Sequence, residues 1–390
     1  MPRLSPFRAL RFASLDAVAR RAIDDISAVR DRGRPVRAED PLHVLRLYAA
    51  PDPWVALREW EAAGHLVAEN PALYVVEVRP TDSVRHRPAV RYLLGAMGAD
   101  VPELERAADR LPHPALEPVP VLAADDRHRF GDLLAEAGER APAAFENTVG
   151  AGQVRMWRLE DRQLTRRTLA ALDEIAVRPH GEIPARGTFL AAITPLFEPG
   201  LRLIPFHRGL RDVPTFSPDR FLTLVSDFAR VIDLEAPLTA PGGLDEARAQ
   251  LATLAGRHRA FLLVLPGGTG KLLRLRQGLE LSHIPAAPRS PTLRSLDLAL
   301  LNALVLRTVI GIHDPEAPNH RQVWPVGTTE ELVRQVDEGI FQAGFVLNPP
   351  AAWEIRAVME AAQMLPPRTM RLHPTPPAGL LFLDPDSRER

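Results

Sequence analysis

The chain has 390 residues, 46% of them hydrophobic and 25% charged, with a formal net charge of -1; this is enough ordinary globular chain for two domains, or for one large domain with insertions. The near-neutral balance gives the whole molecule no electrostatic case for nucleic acid or an anionic membrane surface. Cysteine is absent, which excludes disulfides, thiolate nucleophiles, cysteine-ligated zinc and iron–sulfur clusters.

The opening MPRLSPFRALRF has no apolar signal core. No uninterrupted apolar run reaches about 18 residues, the length needed to span a bilayer as a helix. A cytoplasmic protein is therefore expected. Residues 6–12 read as a first strand. Ser14 follows as the N-cap of a helix with Val18, Ala22, Ile26 and Val29 on one face. Residues 43–48 read as a short strand. Asp52-Pro53-Trp54 then opens a helix that runs to Gly64, with proline in the first turn, where its missing N–H costs nothing. Strands are expected at 72–78 and 89–97, joined as a hairpin through Asp82-Ser83.

Further along, 125–137 reads as a helix, 155–159 as a strand and 164–172 as a helix. Strands follow at 188–195 and 201–206. Ser217-Pro218-Asp219 starts a helix with Phe221, Leu224, Val225 and Phe228 on one side. The segment 237–243 is the best linker, dividing the chain into regions 1–236 and 244–390. After it come a helix at 244–254, strands at 260–265 and 272–275, and a long buried helix near 294–310. Strand, helix, strand and helix then lead to a proline-locked loop at 365–369. The 39 prolines punctuate element edges and do not gather in one linker. Alternating helices and hairpins predict an α+β (mixed α/β) fold.

Pro266-Gly267-Gly268-Thr269-Gly270-Lys271-Leu272 imitates a phosphate-binding loop. Its spacing fails, because GxxxxGK[ST] needs glycine at 265 and Ser or Thr at 272, and both positions are leucine. FLLVL and LLRLR around the glycines make a β-hairpin instead. Lys271 is the only lysine, so its place on a hairpin flank is easily tested. His207-Arg208 ends an apolar strand and has two readings: an anion-facing acid–base pair, or a strand cap with a structural ion pair. Asp125-Asp126-Arg127 fits a helix first turn, where acids complement the dipole. No HExxH, EF-hand, GxSxG or GxGxxG motif is present, so no metal motif supports a cofactor.

The tail VDEGIFQAGFVLNPPAAWEIRAVMEAAQMLPPRTMRLHPTPPAGLLFLD, residues 336–384, resembles the closing signature of the domain of unknown function 1015 family. Members of that family end in an AFLLNPT strand-turn, a helix and an MPPKST-x-FxPK-x-x-GL loop. The opening PFRALRF, the segment DPLHVLRLY, the WEAAGHLVAENPALYVVEV run and the strand before His207-Arg208 are similar to other family landmarks. The resemblance implies a ParB/sulfiredoxin-like core with a C-terminal α/β region, a nucleotide as the implied cofactor, and a small phosphorylated or carboxylate ligand as the implied partner. It assigns candidate catalytic roles to His113, Asp126, Glu182 and His207. Arg127, Arg208, Arg368 and Thr369 become candidate ligand-binding residues.

Several family positions have changed. Pro114 stands where the family has glutamate after His113, Leu116 falls where threonine is usual, and the later PK dipeptide is Pro374-Thr375. The family's ADGHHR motif belongs between Ile175 and Ile204, where only His180-Gly181-Glu182 echoes it. The combined expectation is a catalytically degenerate ligand-binding or regulatory relative. The alternative is a phosphoryl-transfer enzyme using His207, Arg208, Asp126, Arg127 and Arg368.

Overall fold

The computed structural model describes residues 4–23, 40–81, 87–100, 116–180, 186–214, 216–317, 320–384 and 386. The fold is mixed α+β, and the chain forms two compact units: residues 1–202 with 372–390, and residues 203–371. The expected linker at 237–243 lies inside the second unit and leads into its helix Gly243–Leu254.

In the first unit an eight-stranded sheet runs in the order Phe145–Val149, Gly152–Arg158, Tyr74–Pro80, Val90–Asp100, Arg186–Pro195, Val119–Ala123, Val177–Pro179, with Leu4–Ser5 also paired to Val90–Asp100. The pair Val119–Ala123 and Arg186–Pro195 is parallel; the others are antiparallel. Strand alternation explains the two cores. Val75, Leu93 and Phe189 pack with Phe130, Leu133 and Leu134 of helix Arg129–Arg140 and with Leu164 of helix Arg162–Asp173. Tyr74, Val76, Tyr92 and Leu190 face the other way, toward Leu10, Phe12, Leu57 and Phe382. A small sheet of Phe382–Leu383, Ala9–Phe12 and Leu66–Ala68 belongs to that second core.

The helix expected from Asp52 is present at Pro53–Ala62: the Asp52 carboxylate accepts from the N–H groups of Trp54 and Val55, and Gly64 has φ +75 at its end. Two expectations fail. Residues Val44–Tyr48 form a helix, not a strand: the His43 ring accepts from the Leu45 N–H, and three of the helix's five residues, Val44, Leu45 and Leu47, are buried. The helix after Ser14 is short, a single 3-10 turn and Val18–Arg21, and the Ser14 side chain makes no capping bond. Ile26, Val29 and the 82–83 connection lie outside the described residues, although the two strands it joins do pair antiparallel.

The second unit is built on an entirely antiparallel six-stranded sheet: Ala229–Asp233, Thr269–Leu275, Ala260–Leu265, Ala343–Val346, His207–Leu210, Val323–Val326. Both faces are covered, which is why FLLVL at 261–265 is apolar without a break. Phe261 and Leu263 pack against Phe221, Leu301 and Leu304 on one face, while Leu262 and Val264 meet Leu251, Leu332 and Val336 on the other. The long apolar stretch near 294–310, which the sequence presents as one regular helix, divides into three. These are Pro291–Arg294, Asp297–Leu300 and a π-helical segment, Leu301–Ile310, closed by Gly311 at φ +86.

Candidate functional site

His207 begins an interior strand of the second unit's sheet and is 5% exposed. Its Nδ1 accepts the Leu347 N–H at 3.3 Å, so Nε2 carries the proton and donates to Thr329 Oγ1 at 3.0 Å. Burial, together with the positive charge of Arg208, Arg248 and Arg371, pushes the imidazole down to about 3. The ring is held neutral, with both nitrogens engaged inside the protein.

Arg208 is 4% exposed. Its Nη1 donates to the carbonyls of Phe206 at 3.1 Å and His207 at 3.2 Å. Its Nη2 donates to the carbonyls of Pro367 at 3.2 Å and Arg368 at 3.1 Å. Burial, with the charge of Arg368 beside it, lowers the guanidinium to about 10. The strand end and the proline-locked loop therefore meet, as a shared site would require. They meet through the loop's main chain, with Arg208 as the clamp. Thr369 is buried and donates its hydroxyl to Pro366 O at 2.6 Å. The Arg368 side chain is exposed on a backbone at φ +52.

The glycine-rich segment is a hairpin tip. Leu265 pairs with Thr269, Gly267 and Gly268 carry φ +71 and +68, and a strand follows where a phosphate loop needs a helix. Lys271 pairs across the sheet with Asp233 and forms an ion pair with it.

A cleft of about 50 Å³ opens in this unit. Asn348-Pro349-Pro350, Thr369 and Pro205 line it, beside the charged residues Arg259, Asp297 and Glu354. Arg259 follows helix Gly243–Leu254, Asp297 opens Asp297–Leu300, and Glu354 lies in the first turn of Ala352–Glu360. Arg259 Nη1 reaches Glu354 Oε1 at 2.7 Å and Asp297 Oδ1 at 3.4 Å. Glu354 Oε2 accepts the Ala351 N–H at 2.9 Å, so both its oxygens are engaged. Burial pushes the Asp297 carboxyl up to about 7 against the pull of Arg259, and the Glu354 charge adds repulsion. A carboxyl poised there can accept or release a proton near neutrality. None of these three residues stands out in the sequence. The one available signal is Asp297, the single acid at the head of the apolar run 296–312.

In the first unit, Asp125 is 1% exposed and its Oδ2 accepts the Gly131 N–H at 2.8 Å. It caps helix Arg129–Arg140 from outside; the helix begins four residues later than expected. Asp126 and Arg127 are exposed in the turn before it. Glu198 lies nearby: its Oε2 and Asp125 Oδ2 are each 3.7 Å from where Gly131 would carry a Cβ. Arg91 binds Glu77 at 2.9 Å and reaches Glu198 at 3.8 Å. Burial raises the Glu198 pKa, and Arg91 opposes that shift. His113 and Glu182 lie outside the described residues. Between 175 and 204 the described residues form strands Val177–Pro179, Arg186–Pro195 and the start of Arg202–Pro205, with no helix to complete an ADGHHR-type motif. Among the described residues no group of three or more His, Asp or Glu is arranged to hold a metal, and no helix is long and apolar enough to cross a membrane.

No protein-family profile and no curated protein sequence matches this chain. Among solved structures it is similar to a mutant free serine kinase in complex with AMP, at 12% identity and TM-score 0.28, covering 66% of this chain and 73% of that one. It is similar at the same identity and TM-score to a conserved hypothetical protein from Pyrococcus furiosus, covering 66% of this chain and 92% of that one. A second free serine kinase structure in complex with AMP gives 12% identity and TM-score 0.27 over 67% and 88%. Likeness this slight carries no activity or ligand across.

Proposed function

We propose that this is a small-molecule-binding protein whose ligand enters the second unit's cleft, with Arg259, Asp297 and Glu354 as its polar wall. The observation that carries this reading is Asp297. It lines a concavity, keeps only a long 3.4 Å bond to Arg259, and sits near neutral pKa. Buried carboxyls shifted toward neutrality concentrate at binding and catalytic sites. The lining also gathers Pro205, the Asn348-Pro349-Pro350 turn and Thr369, which the sequence marks as landmarks of the resemblance.

The roles that the sequence suggests for His207 and Arg208 pass to the architecture of this cleft. Those two side chains hold strand His207–Leu210 and the 366–369 loop in place. The test is a thermal-shift screen of small polar solutes on the full chain, repeated on Asp297→Asn. A saturating solute at 100-fold its Kd stabilises by about 2.7 kcal/mol. A screen in which no solute discriminates native protein from Asp297→Asn would sink the proposal.

A second reading is favoured by one specific segment. Ala124-Asp125-Asp126-Arg127-His128-Arg129 follows strand Val119–Ala123 and enters helix Arg129–Arg140. It keeps the Ala, Asp, His and Arg of ADGHHR in order, in the strand-to-helix setting such a motif requires. On this reading the first unit is a ParB/sulfiredoxin-like relative, with a nucleotide phosphate at the helix start. Asp125 already occupies the Gly131 N–H, and Arg129 is paired with Glu174 at 2.7 Å. Weak nucleotide binding without turnover is the expected behaviour. AMP, ADP and ATP titrations against His128→Ala separate this reading from the first, because that substitution leaves the second unit's cleft unaltered.

A further inference from the structure

We infer that the second unit's cleft recognises an ammonium group, seated on the Asp297 carboxylate; this rests on the cleft reading above. Among the described residues the wall holds two carboxylates against one guanidinium. Glu354 is engaged through both oxygens and Arg259 through Nη1. Among the described residues Asp297 has no side-chain hydrogen bond beyond the 3.4 Å approach of Arg259, although its side chain is only 13% exposed. Asp297 thus lines the cavity with its carboxylate short of a close donor among the described residues.

No second cation is present among the lining residues, which are otherwise mainly proline, leucine, alanine and glycine with Asn348 and Thr369. A phosphate or carboxylate placed alone on this wall adds negative charge beside Glu354. An ammonium supplies three donors and balances the unmatched carboxylate. The volume of about 50 Å³ suits a group of a few heavy atoms with a small substituent. It is far below the roughly 300 Å³ at which drug-sized pockets begin. With its carboxyl pushed up to about 7, Asp297 is about half protonated at neutrality. Seating an ammonium favours the ionised form, so binding below pH 7 should release a fraction of a proton and should tighten as pH rises through 7.

Two sources share this chemistry, a simple amine and an α-amino acid whose carboxylate would turn toward Arg259. Calorimetric titration of the full chain at pH 8 with ethylamine, L-alanine, propionate and inorganic phosphate distinguishes them. The proposal expects saturable binding of ethylamine or L-alanine, weakened at least tenfold in Asp297→Asn and lost in Ala255→Phe. Ala255 lines the cleft from an exposed position, so the bulky ring blocks entry without entering the core. Binding of both amines identifies any ammonium as sufficient, and binding of L-alanine alone identifies the amino-acid source. Propionate or phosphate bound in preference, with loss in Ala255→Phe, overturns the ammonium inference and leaves the cleft standing. No binding by any probe, or binding indifferent to Ala255→Phe, overturns both.

Discussion

Arg208 donates through Nη2 to the main-chain carbonyl of Arg368 at 3.1 Å, across 160 positions of sequence. Two arginines expected to offer their charges to one ligand are instead joined donor to backbone. Four carbonyls converge on the two terminal nitrogens of Arg208, a geometry that a planar guanidinium satisfies and an ammonium cannot. Arg208→Lys should therefore lower unfolding free energy by about 2–4 kcal/mol, because buried carbonyls lose their donors. Chemical denaturation measures this. Unchanged stability would return Arg208 to the list of ligand-facing cations.

His207 gives a pH prediction with a definite sign. Its folded pKa of about 3 lies below the ordinary 6.5. The unfolded chain thus takes up a proton that the folded chain refuses. The stabilisation is complete above pH 6.5 and is lost as pH falls from there toward 3. Denaturation curves at several pH values should show this slope, reduced by close to one proton in His207→Gln. Equal slopes in the two proteins would show that the ring does not stay neutral on acidification.

What the sequence made legible follows physical range. The hairpin at 260–275 was readable because its strands are continuous and its tip needs positive φ at Gly267 and Gly268. The Asp52 cap was readable because its partners are two and three residues away. Residues 43–48 misled because a short run with valine and leucine suits either period, and a local bond from the Leu45 N–H to His43 decides for helix. The π-helical stretch 301–310 has no compositional mark. The cleft was the least legible part: Arg259 meets Asp297 and Glu354 at separations of 38 and 95 residues, and only the fold brings them together. For His207 the residue type suggested chemistry, but its partners Thr329 and Leu347, 122 and 140 positions away, make it structural.

The hairpin supplies a paired prediction. Lys271→Ala removes an ion pair with the exposed Asp233 and the contacts of a side chain that is 22% exposed, and should change stability by no more than about 1 kcal/mol. Gly268→Ala places a Cβ 2.3 Å from Thr239 Oγ1 at φ +68. Crowding and left-handed backbone act together there, so a loss of about 1–3 kcal/mol is expected. Thermal melts of both variants suffice, and the reverse order of effects would contradict the hairpin assignment.

Asp297 provides the most direct check on the cleft. Its folded pKa of about 7 is raised above the ordinary 3.8. Such a group contributes stability that is fully present below pH 3.8 and is lost as pH rises through 7. The cause is desolvation of the ionised form, so the effect belongs to the burial of one carboxylate beside another. Asp297→Asn keeps size and polarity, leaves the 2.7 Å bond between Arg259 and Glu354, and cannot ionise. It should therefore gain stability relative to the native protein as pH rises from 5 to 8, by about 1–3 kcal/mol over that range. Below pH 4, where both forms are neutral, the two proteins should differ little. Carbon-13 NMR of labelled aspartate reports the same event as a single carboxyl titrating near 7, absent from the variant. A native protein whose aspartates all titrate below 5, with no pH-dependent gain in Asp297→Asn, would mean that Arg259 holds Asp297 ionised, and the cleft would lose the proton-exchanging group on which its proposed function depends.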